Sequence, residues 1–140
     1  MSIAEESRGV VLQWIDCAVE GRFDDLMALG APDATWWVSG LKETSYLCGT
    51  YPYAEREKHF KELLQDAISF KFEIRGITAE GDTVVIEAAP RAETRDGRIY
   101  VNDVMMKFVV KDGKIQSVRE YVDLAAVLKF MGAKASLGDK

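Results

Sequence analysis

Apolar side chains recur at helical spacing in three stretches of the first half of the chain. Residues 5–20 carry them three and four positions apart, and Gly21 follows where a helix would end. A second, shorter helix is predicted from Asp24, a good N-cap, to Gly30. A third is predicted over residues 54–67, where a charged start precedes an apolar stripe. The first half is therefore predicted to be mainly helical.

Two further segments separate the second and third predicted helices. Pro32 and Asp33 are predicted to break the chain, and residues 34–38 then have the composition of a short strand, with tryptophans on opposite faces. Residues 39–52 contain two glycines and a proline and follow no period, which is typical of a loop. The third helix is thus expected to follow one strand and a long connection.

The apolar period changes from about 3.6 to 2 in the second half of the chain. Apolar and polar residues alternate there, as in strands with one buried face. Turn signals divide this part into four strands, and they lie at residues 80–82, 95–97 and 111–113. Strands joined by such short turns are expected to pair as an antiparallel meander.

These elements predict a single α+β domain over residues 1–140. Three N-terminal helices would cover one face of a strongly curved antiparallel sheet, and such a sheet can wrap around a pocket. Residues 124–131, capped by Asp123, are predicted to add a short C-terminal helix. The chain has no internal repeat and no linker that would mark a second domain.

The last predicted strand, residues 114–123, carries a carboxylate among apolar residues. Side chains two positions apart share a face, so Glu120 lies with Gln116, Val118 and Val122. Apolar surroundings raise the pKa of a carboxyl group, which suits a general acid or base near neutral pH. The sequence alone also allows Glu120 to face water or to pair with a Lys or Arg of a neighbouring strand.

Composition and charge argue against several classes of function. A net charge of −5, a pI near 5.0 and scattered Lys and Arg residues argue against a nucleic-acid surface. No apolar run reaches the roughly 20 residues of a membrane span. The N-terminus lacks the basic start and apolar segment of a secretory signal, so a cytoplasmic location is expected.

The cysteines and the single histidine limit the chemistry further. Cys17 and Cys48 have neither metal-ligand nor redox spacing, and Cys17 is predicted to be a small buried side chain. Because His59 is the single histidine, a multi-histidine metal centre is excluded. His59 lies beside the apolar stripe of its helix and is predicted to be a surface or interface residue. Neither a metal nor an organic cofactor is expected.

The order of these elements resembles the NTF2-like superfamily, and within it the SnoaL-like and ketosteroid-isomerase-like group. The likeness covers residues 5–131. It is carried by APDATW (31–36), GDTVV (81–85), DGRIYVN (96–102), DGKI (112–115) and REYVD (119–123). It implies a cone-shaped cavity between the sheet and the helices, and dimerisation through the outer face of the sheet. This superfamily includes isomerases, hydrolases, cyclases, dehydratases and binding modules, so the resemblance does not specify an activity.

Most catalytic positions of the better-known members are not matched in this chain. By the resemblance, the proton-shuttling aspartate of ketosteroid isomerases corresponds to Val38, their oxyanion-hole tyrosine to Trp14 and their protonated aspartate to Val104. The Arg-x-Asp of the limonene-epoxide-hydrolase-like members corresponds to Ala88 and Pro90. The isomerase mechanism is therefore not supported, and the epoxide hydrolase activity is not expected.

One catalytic position of the resemblance does carry an acid. Glu120 matches the acid/base aspartate of polyketide-cyclase members and the water-activating aspartate of epoxide hydrolases. Asn102 is the next candidate, as an amide donor to a ligand oxygen or as the partner of Glu120, and the indole N–H of Trp14 is an alternative donor. The remaining predicted cavity residues, each of which could also be ordinary core or loop, are Trp36, Val38, Tyr51, Phe60, Val104, Met106, Phe108, Val118 and Val122.

Two functions remain open on this basis. In the first, Glu120 moves a proton to or from carbon or water of a small apolar oxygenated molecule, in a cavity of several hundred cubic ångströms. In the second, the chain is a non-catalytic ligand-binding or dimeric scaffold module. A homodimer formed through the sheet is expected, and a nucleic-acid or membrane partner is not.

Overall fold

The computed structural model describes residues 1–132, so residues 133–140 of the predicted domain lie outside the described residues. The helices are α1 (Ile3–Glu20), α2 (Phe23–Ala28), α3 (Arg56–Leu63) and α4 (Leu124–Met131), and a 3-10 turn (Tyr53–Glu55) precedes α3. The strands are β1 (Gly30–Val38), β2 (Gly49–Pro52), β3 (Ala67–Glu80), β4 (Thr83–Thr94), β5 (Ile99–Val101), β6 (Val104–Lys111) and β7 (Lys114–Tyr121).

Local signals define the first helix. The Ser2 hydroxyl accepts a hydrogen bond from the Glu5 N–H at 3.1 Å, and Gly21 ends the helix in the left-handed conformation with φ 71°. The inward side of α1 packs on β3, β4 and β6. Its buried residues include Val11, Trp14, Ile15, Cys17 and Ala18. The predicted burial of Cys17 is confirmed.

Three local predictions need correction. Asp24 is not the N-cap of α2, because the helix starts at Phe23 and places Asp24 in its first turn. Pro32 and Asp33 do not end the regular structure. They lie within β1, where the register against β7 shifts between Gly30 and Thr35, and an irregular ladder tolerates the missing N–H of proline. Asp123 precedes α4 as predicted, but its side chain makes no capping hydrogen bond.

The strands form a curved, unclosed sheet in the order β2-β1-β7-β6-β4-β3, with β5 paired to β4. The predicted antiparallel meander is present, although Asn102 and Asp103 interrupt its third strand and separate β5 from β6. Asp112 and Gly113, with φ of 52° and 74°, form a tight turn of the kind that joins hairpin strands. The sequence did not indicate that β1 pairs in parallel with β7, which aligns Val38 with Glu120.

Two hydrophobic clusters fill the space beneath the helices. The larger one joins α1 to the inner face of the sheet and includes Trp14, Trp36 and Phe108. The smaller one joins β5 and α4 to the chain before β2, and includes Leu47, Tyr100, Val127 and Phe130. Within residues 1–132, no helix is both long enough and apolar enough to cross a membrane.

Candidate active site

A cavity of about 110 Å³ lies where the two hydrophobic clusters meet. Its wall is mostly aromatic and aliphatic, and the cavity residues come from α1, α3, α4 and the inner face of the sheet. The ionisable side chains that line it are Arg56, His59, Tyr100 and Glu120. Among the described residues, no group of three or more His, Cys, Asp or Glu side chains could hold a metal ion.

Glu120 lies on the inner face of β7, as the alternation of the strand predicted. Its cross-strand neighbours are Val38 on β1 and Met106 on β6, and both line the cavity with it. One carboxyl oxygen, Oε1, accepts a hydrogen bond from Trp36 Nε1 at 2.9 Å. The other oxygen has no hydrogen-bond partner among the described residues. One carboxyl oxygen is thus held in place and the other is available to a ligand.

Burial raises the pKa of the Glu120 carboxyl group, because the apolar wall disfavours the ionised form. The hydrogen bond from Trp36 and the positive charge of Arg56 act in the opposite direction but do not cancel the effect. A carboxyl group in this environment can be protonated or ionised closer to neutral pH than a surface carboxyl can. This is the property that general acid/base catalysis requires.

Arg56 is a buried cation at the start of α3, with 4% of its surface exposed. Its guanidinium donates to the carbonyl oxygens of Leu47 and Gly49, both at 2.7 Å, and more weakly to that of Trp36 at 3.3–3.4 Å. It also donates to Nδ1 of His59 at 2.9 Å. These contacts tie the loop before β2, the strand β1 and the helix α3 together at one end of the cavity.

The prediction that His59 lies at the surface or at an interface is wrong. Its side chain is 7% exposed and lines the cavity. The inner face of α3 carries Arg56, His59, Phe60 and Leu63, which follow the spacing i, i+3, i+4, i+7 of a single helix face. The sequence contained this signal, but the charge of Arg56 concealed the fact that this face points inward.

Asn102 does not reach the cavity or Glu120. Its Nδ2 donates to the Tyr100 hydroxyl at 2.8 Å and to the Asp123 carbonyl at 3.1 Å, and its Oδ1 accepts from the N–H groups of Asp103 and Asp123. The side chain is therefore fully used in holding the break between β5 and β6 against the start of α4. The predicted role of Asn102 as a ligand donor is not supported.

Tyr100, rather than Asn102, places a hydrogen-bond donor at the cavity. It is 4% exposed and lines the cavity, and Asn102 donates to its oxygen. The hydroxyl hydrogen has no acceptor among the described residues, so it can be donated to a ligand. Tyr100 lies two residues before Asn102, and period-2 alternation could have placed it on the same inward face.

The remaining predicted cavity residues divide into two groups. The cavity is lined by Trp14, Trp36, Val38, Phe60, Val104, Met106 and Val122. Phe108 and Val118 are buried in the larger cluster away from the cavity, and Tyr51 stacks between Lys42 and Arg56. Trp14 contributes its ring alone, since its indole nitrogen has less than 1 Å² of exposed surface.

We predict that His59 stays neutral at pH values well below 6.5, the ordinary pKa of a histidine. Burial and the adjacent Arg56 charge lower its pKa from 6.5 to about 4. As pH falls from 6.5 towards 4, the histidine therefore takes up a proton in the unfolded chain but not yet in the folded one. Over this range the free energy of unfolding should drop by about 1–3 kcal/mol. NMR titration of the single histidine measures the midpoint, and a His59→Gln variant should lose this part of the pH dependence. A midpoint near 6.5 would contradict the buried geometry.

Comparison with known proteins assigns the chain to a family. The SnoaL-like domain matches residues 11–118. The chain belongs to the SnoaL-like family. The family match ends two residues before Glu120 and therefore says nothing about that residue. The position of Glu120 at the cavity of this SnoaL-like protein is known from the structure alone.

Individual relatives of this SnoaL-like protein are distant. UPF0523 protein C from Dictyostelium discoideum is 29% identical over 98 residues, which cover 68% of this chain and 63% of the relative. The match therefore spans less than two thirds of the length of that protein. Its name indicates no activity.

Solved structures confirm the predicted NTF2-like fold. An NTF2-like protein from Burkholderia xenovorans LB400 is similar with a TM-score of 0.69 and 19% identity, over 92% of this chain and 98% of that one. An LEH-like epoxide hydrolase from M. tuberculosis is similar with a TM-score of 0.71 and 20% identity, over 91% and 90% of the two chains. At such identities, the likeness establishes the fold of the SnoaL-like chain.

Proposed function

We propose that this protein is an acid/base enzyme that transfers a proton on a small, largely apolar molecule containing an oxygen atom, without a cofactor. The observation that carries the proposal is the placement of Glu120. Its carboxyl group lies on an apolar cavity, one oxygen is anchored by Trp36 Nε1 at 2.9 Å, and burial raises its pKa. A carboxyl group in a cavity with a fixed partner and a raised pKa is typical of catalytic sites.

The donors and the acid suit a keto–enol type of proton transfer. Ionised Glu120 would remove a proton from the carbon next to a carbonyl group, and the carbonyl oxygen would gain negative charge. The Tyr100 hydroxyl is available to donate to that oxygen. Protonated Glu120 would then return the proton to the same or another carbon, so the net change is an exchange or an isomerisation.

The size of the cavity limits the substrate. Its 110 Å³ is smaller than the several hundred cubic ångströms expected from the sequence. An engineered cavity of about 150 Å³ in another protein binds benzene, which sets the scale. We therefore propose a substrate of about one ring, such as a small cyclic ketone or enone, rather than a steroid or a multi-ring polyketide.

The proposal can be tested with cyclohexenone in deuterated buffer. The wild-type protein is expected to speed the exchange of protons next to the carbonyl group, followed by proton NMR, and unfolded protein should not do so. If the probe shifts the resonances of cavity side chains without any exchange, the second function, non-catalytic ligand binding, is correct. The small cavity and its single carboxyl group are the observations that favour that alternative.

We also propose that two copies associate through the outer face of the sheet. The Arg119 guanidinium lies 3.9 Å from the centre of the Trp37 ring, and the ring of Tyr121 lies 5.0 Å from that of Trp37. Met105, the cross-strand partner of Tyr121, is 44% exposed, and Val101 is 52% exposed. Together these side chains form an apolar and aromatic surface that association would remove from water.

A Met105→Glu variant tests this association. Wild-type protein is expected to sediment as a dimer, and the variant as a folded monomer, because association would bury the new carboxylate in an apolar surface. Gln13→Glu, on the exposed side of α1 away from the outer face of the sheet, adds the same single negative charge and is the control for a change of net charge. A monomeric wild type, or a Met105→Glu variant that remains a dimer, would rule out this interface.

A further inference from the structure

We propose that His59 donates a hydrogen bond from Nε2 to the oxygen of the molecule bound in the cavity, and so selects ligands whose oxygen carries or develops negative charge. The inference rests on the proposed ligand cavity but not on catalysis, since binding alone tests it. It assigns a specificity-determining role to a residue that the carboxyl chemistry of Glu120 leaves unused.

Arg56 determines which nitrogen of the His59 ring carries the hydrogen. Arg56 Nη1 lies 2.9 Å from His59 Nδ1, and a guanidinium can donate a hydrogen bond but cannot accept one. Nδ1 must therefore be the acceptor, and the neutral ring carries its hydrogen on Nε2. The low pKa of His59, about 4, agrees with a ring that stays neutral at physiological pH.

Neighbouring aromatic rings hold the imidazole in place. The Tyr46 and Tyr51 rings stand nearly perpendicular to it, with centroids 5.5 and 4.9 Å away. His59 lines the cavity, and its Nε2 has no hydrogen-bond partner among residues 1–132. Since no protein atom among the described residues accepts from this N–H group, a ligand oxygen in the cavity can accept from it and gain a hydrogen bond on binding.

The charge behind His59 defines the type of oxygen that this site prefers. All donor nitrogens of Arg56 are engaged by carbonyl oxygens and by His59, so its positive charge acts on the ligand through the electric field and not by donating a hydrogen bond. Such a fixed positive charge in an apolar site favours an oxygen that is anionic or becomes so. An enolate or a phenolate fits this description, whereas an aliphatic hydrocarbon does not.

Phenol and benzene make a suitable pair of probes, because they differ by one oxygen and are close to the size of the cavity. In wild-type protein, we expect phenol to shift the Nε2–H signal of the single histidine in a nitrogen–proton NMR spectrum. In His59→Asn, the amide oxygen can still accept from Arg56, but the shorter side chain at position 59 no longer brings a donor to the cavity. Phenol binding should weaken about tenfold in this variant, while benzene binding should not change. His59→Gln, whose amide N–H reaches further, should restore much of the difference.

The outcomes separate this inference from the proposed function. If phenol binds without moving the Nε2–H signal, or binds His59→Asn as tightly as wild type, His59 is not a ligand donor although the cavity is real. A histidine found with its hydrogen on Nδ1 would also overturn the inference. If neither phenol nor benzene binds wild-type protein, the ligand cavity itself is refuted, and the role of His59 with it.

Discussion

Replacing Glu120 with glutamine is expected to lower the rate of enzyme-catalysed proton exchange by about 10²–10⁴-fold. The glutamine side chain has nearly the same shape, and its amide oxygen can still accept the hydrogen bond that Trp36 Nε1 donates to Glu120. It cannot take up or release a proton in the reaction. The loss should therefore appear in the turnover rate far more than in ligand affinity, and exchange rates measured at saturating ketone would show it.

Folding and charge controls make this result interpretable. Because burial raises the Glu120 pKa, ionising this group costs stability as pH rises above the ordinary value of 4.5. The Glu120→Gln protein should thus be at least as stable as wild type at neutral pH. Glu87→Gln, on the exposed face of β4, removes a carboxylate without touching the cavity and should leave exchange unchanged. Equal exchange rates in wild type and Glu120→Gln would refute the proposed catalytic role.

Replacing Arg56 with methionine is expected to reduce the free energy of unfolding by about 2–4 kcal/mol. Methionine fills much of the same volume, but the buried carbonyl oxygen of Leu47 and the partly buried one of Gly49 lose donors at 2.7 Å, and His59 Nδ1 loses its donor as well. Removing a desolvated positive charge returns part of this cost. Lysine should not rescue the variant, because one ammonium group cannot reach acceptors on separate elements at once.

The matched control is Arg91→Met on the outer face of β4. Arg91 is exposed and pairs with a half-exposed glutamate, Glu93, so its replacement should change stability by no more than about 0.5 kcal/mol. Denaturant unfolding compares the two variants. Hydrogen exchange should also show faster opening of the chain around Leu47 and Gly49 in Arg56→Met. An Arg56→Met protein as stable as Arg91→Met would mean that water replaces the guanidinium at little cost.

Features that depend on neighbours in the chain were predictable. The end of α1 follows from Gly21, although the helix begins at Ile3, two residues before the predicted start. The hairpin between β6 and β7 follows from Asp112 and Gly113. The inward position of Glu120 followed from the alternation of β7, since a strand places every second side chain on the same face. Burial of Cys17 followed in the same way from the period of its helix.

Features that depend on which elements meet were not predictable from one sequence. The parallel pairing of β1 with β7 brings Trp36 to Glu120 across 84 positions of sequence, and no local signal specifies that contact. Asn102 has a side chain that could donate to a ligand, but the break between β5 and β6, beside Asp123, uses all of its hydrogen bonds. His59 was wrongly predicted to lie at the surface because the neighbouring Arg56 made this helix face look polar. Arg56 can lie inside the protein because His59 and backbone carbonyl oxygens accept its hydrogen bonds, and those contacts are not visible in the sequence.

The sequence by itself determined the α+β class and the strand faces, and it made Glu120 the leading candidate for an acid directed to the interior. These properties follow from periodicity and turn chemistry, which act over a few residues. The tertiary structure alone decided the size of the cavity, the anchoring of Glu120 by Trp36 and the inward Arg56–His59 pair. These features depend on how segments far apart in the sequence pack together. The same packing buries Glu120 and His59, which raises the pKa of the carboxyl group and lowers that of the imidazole.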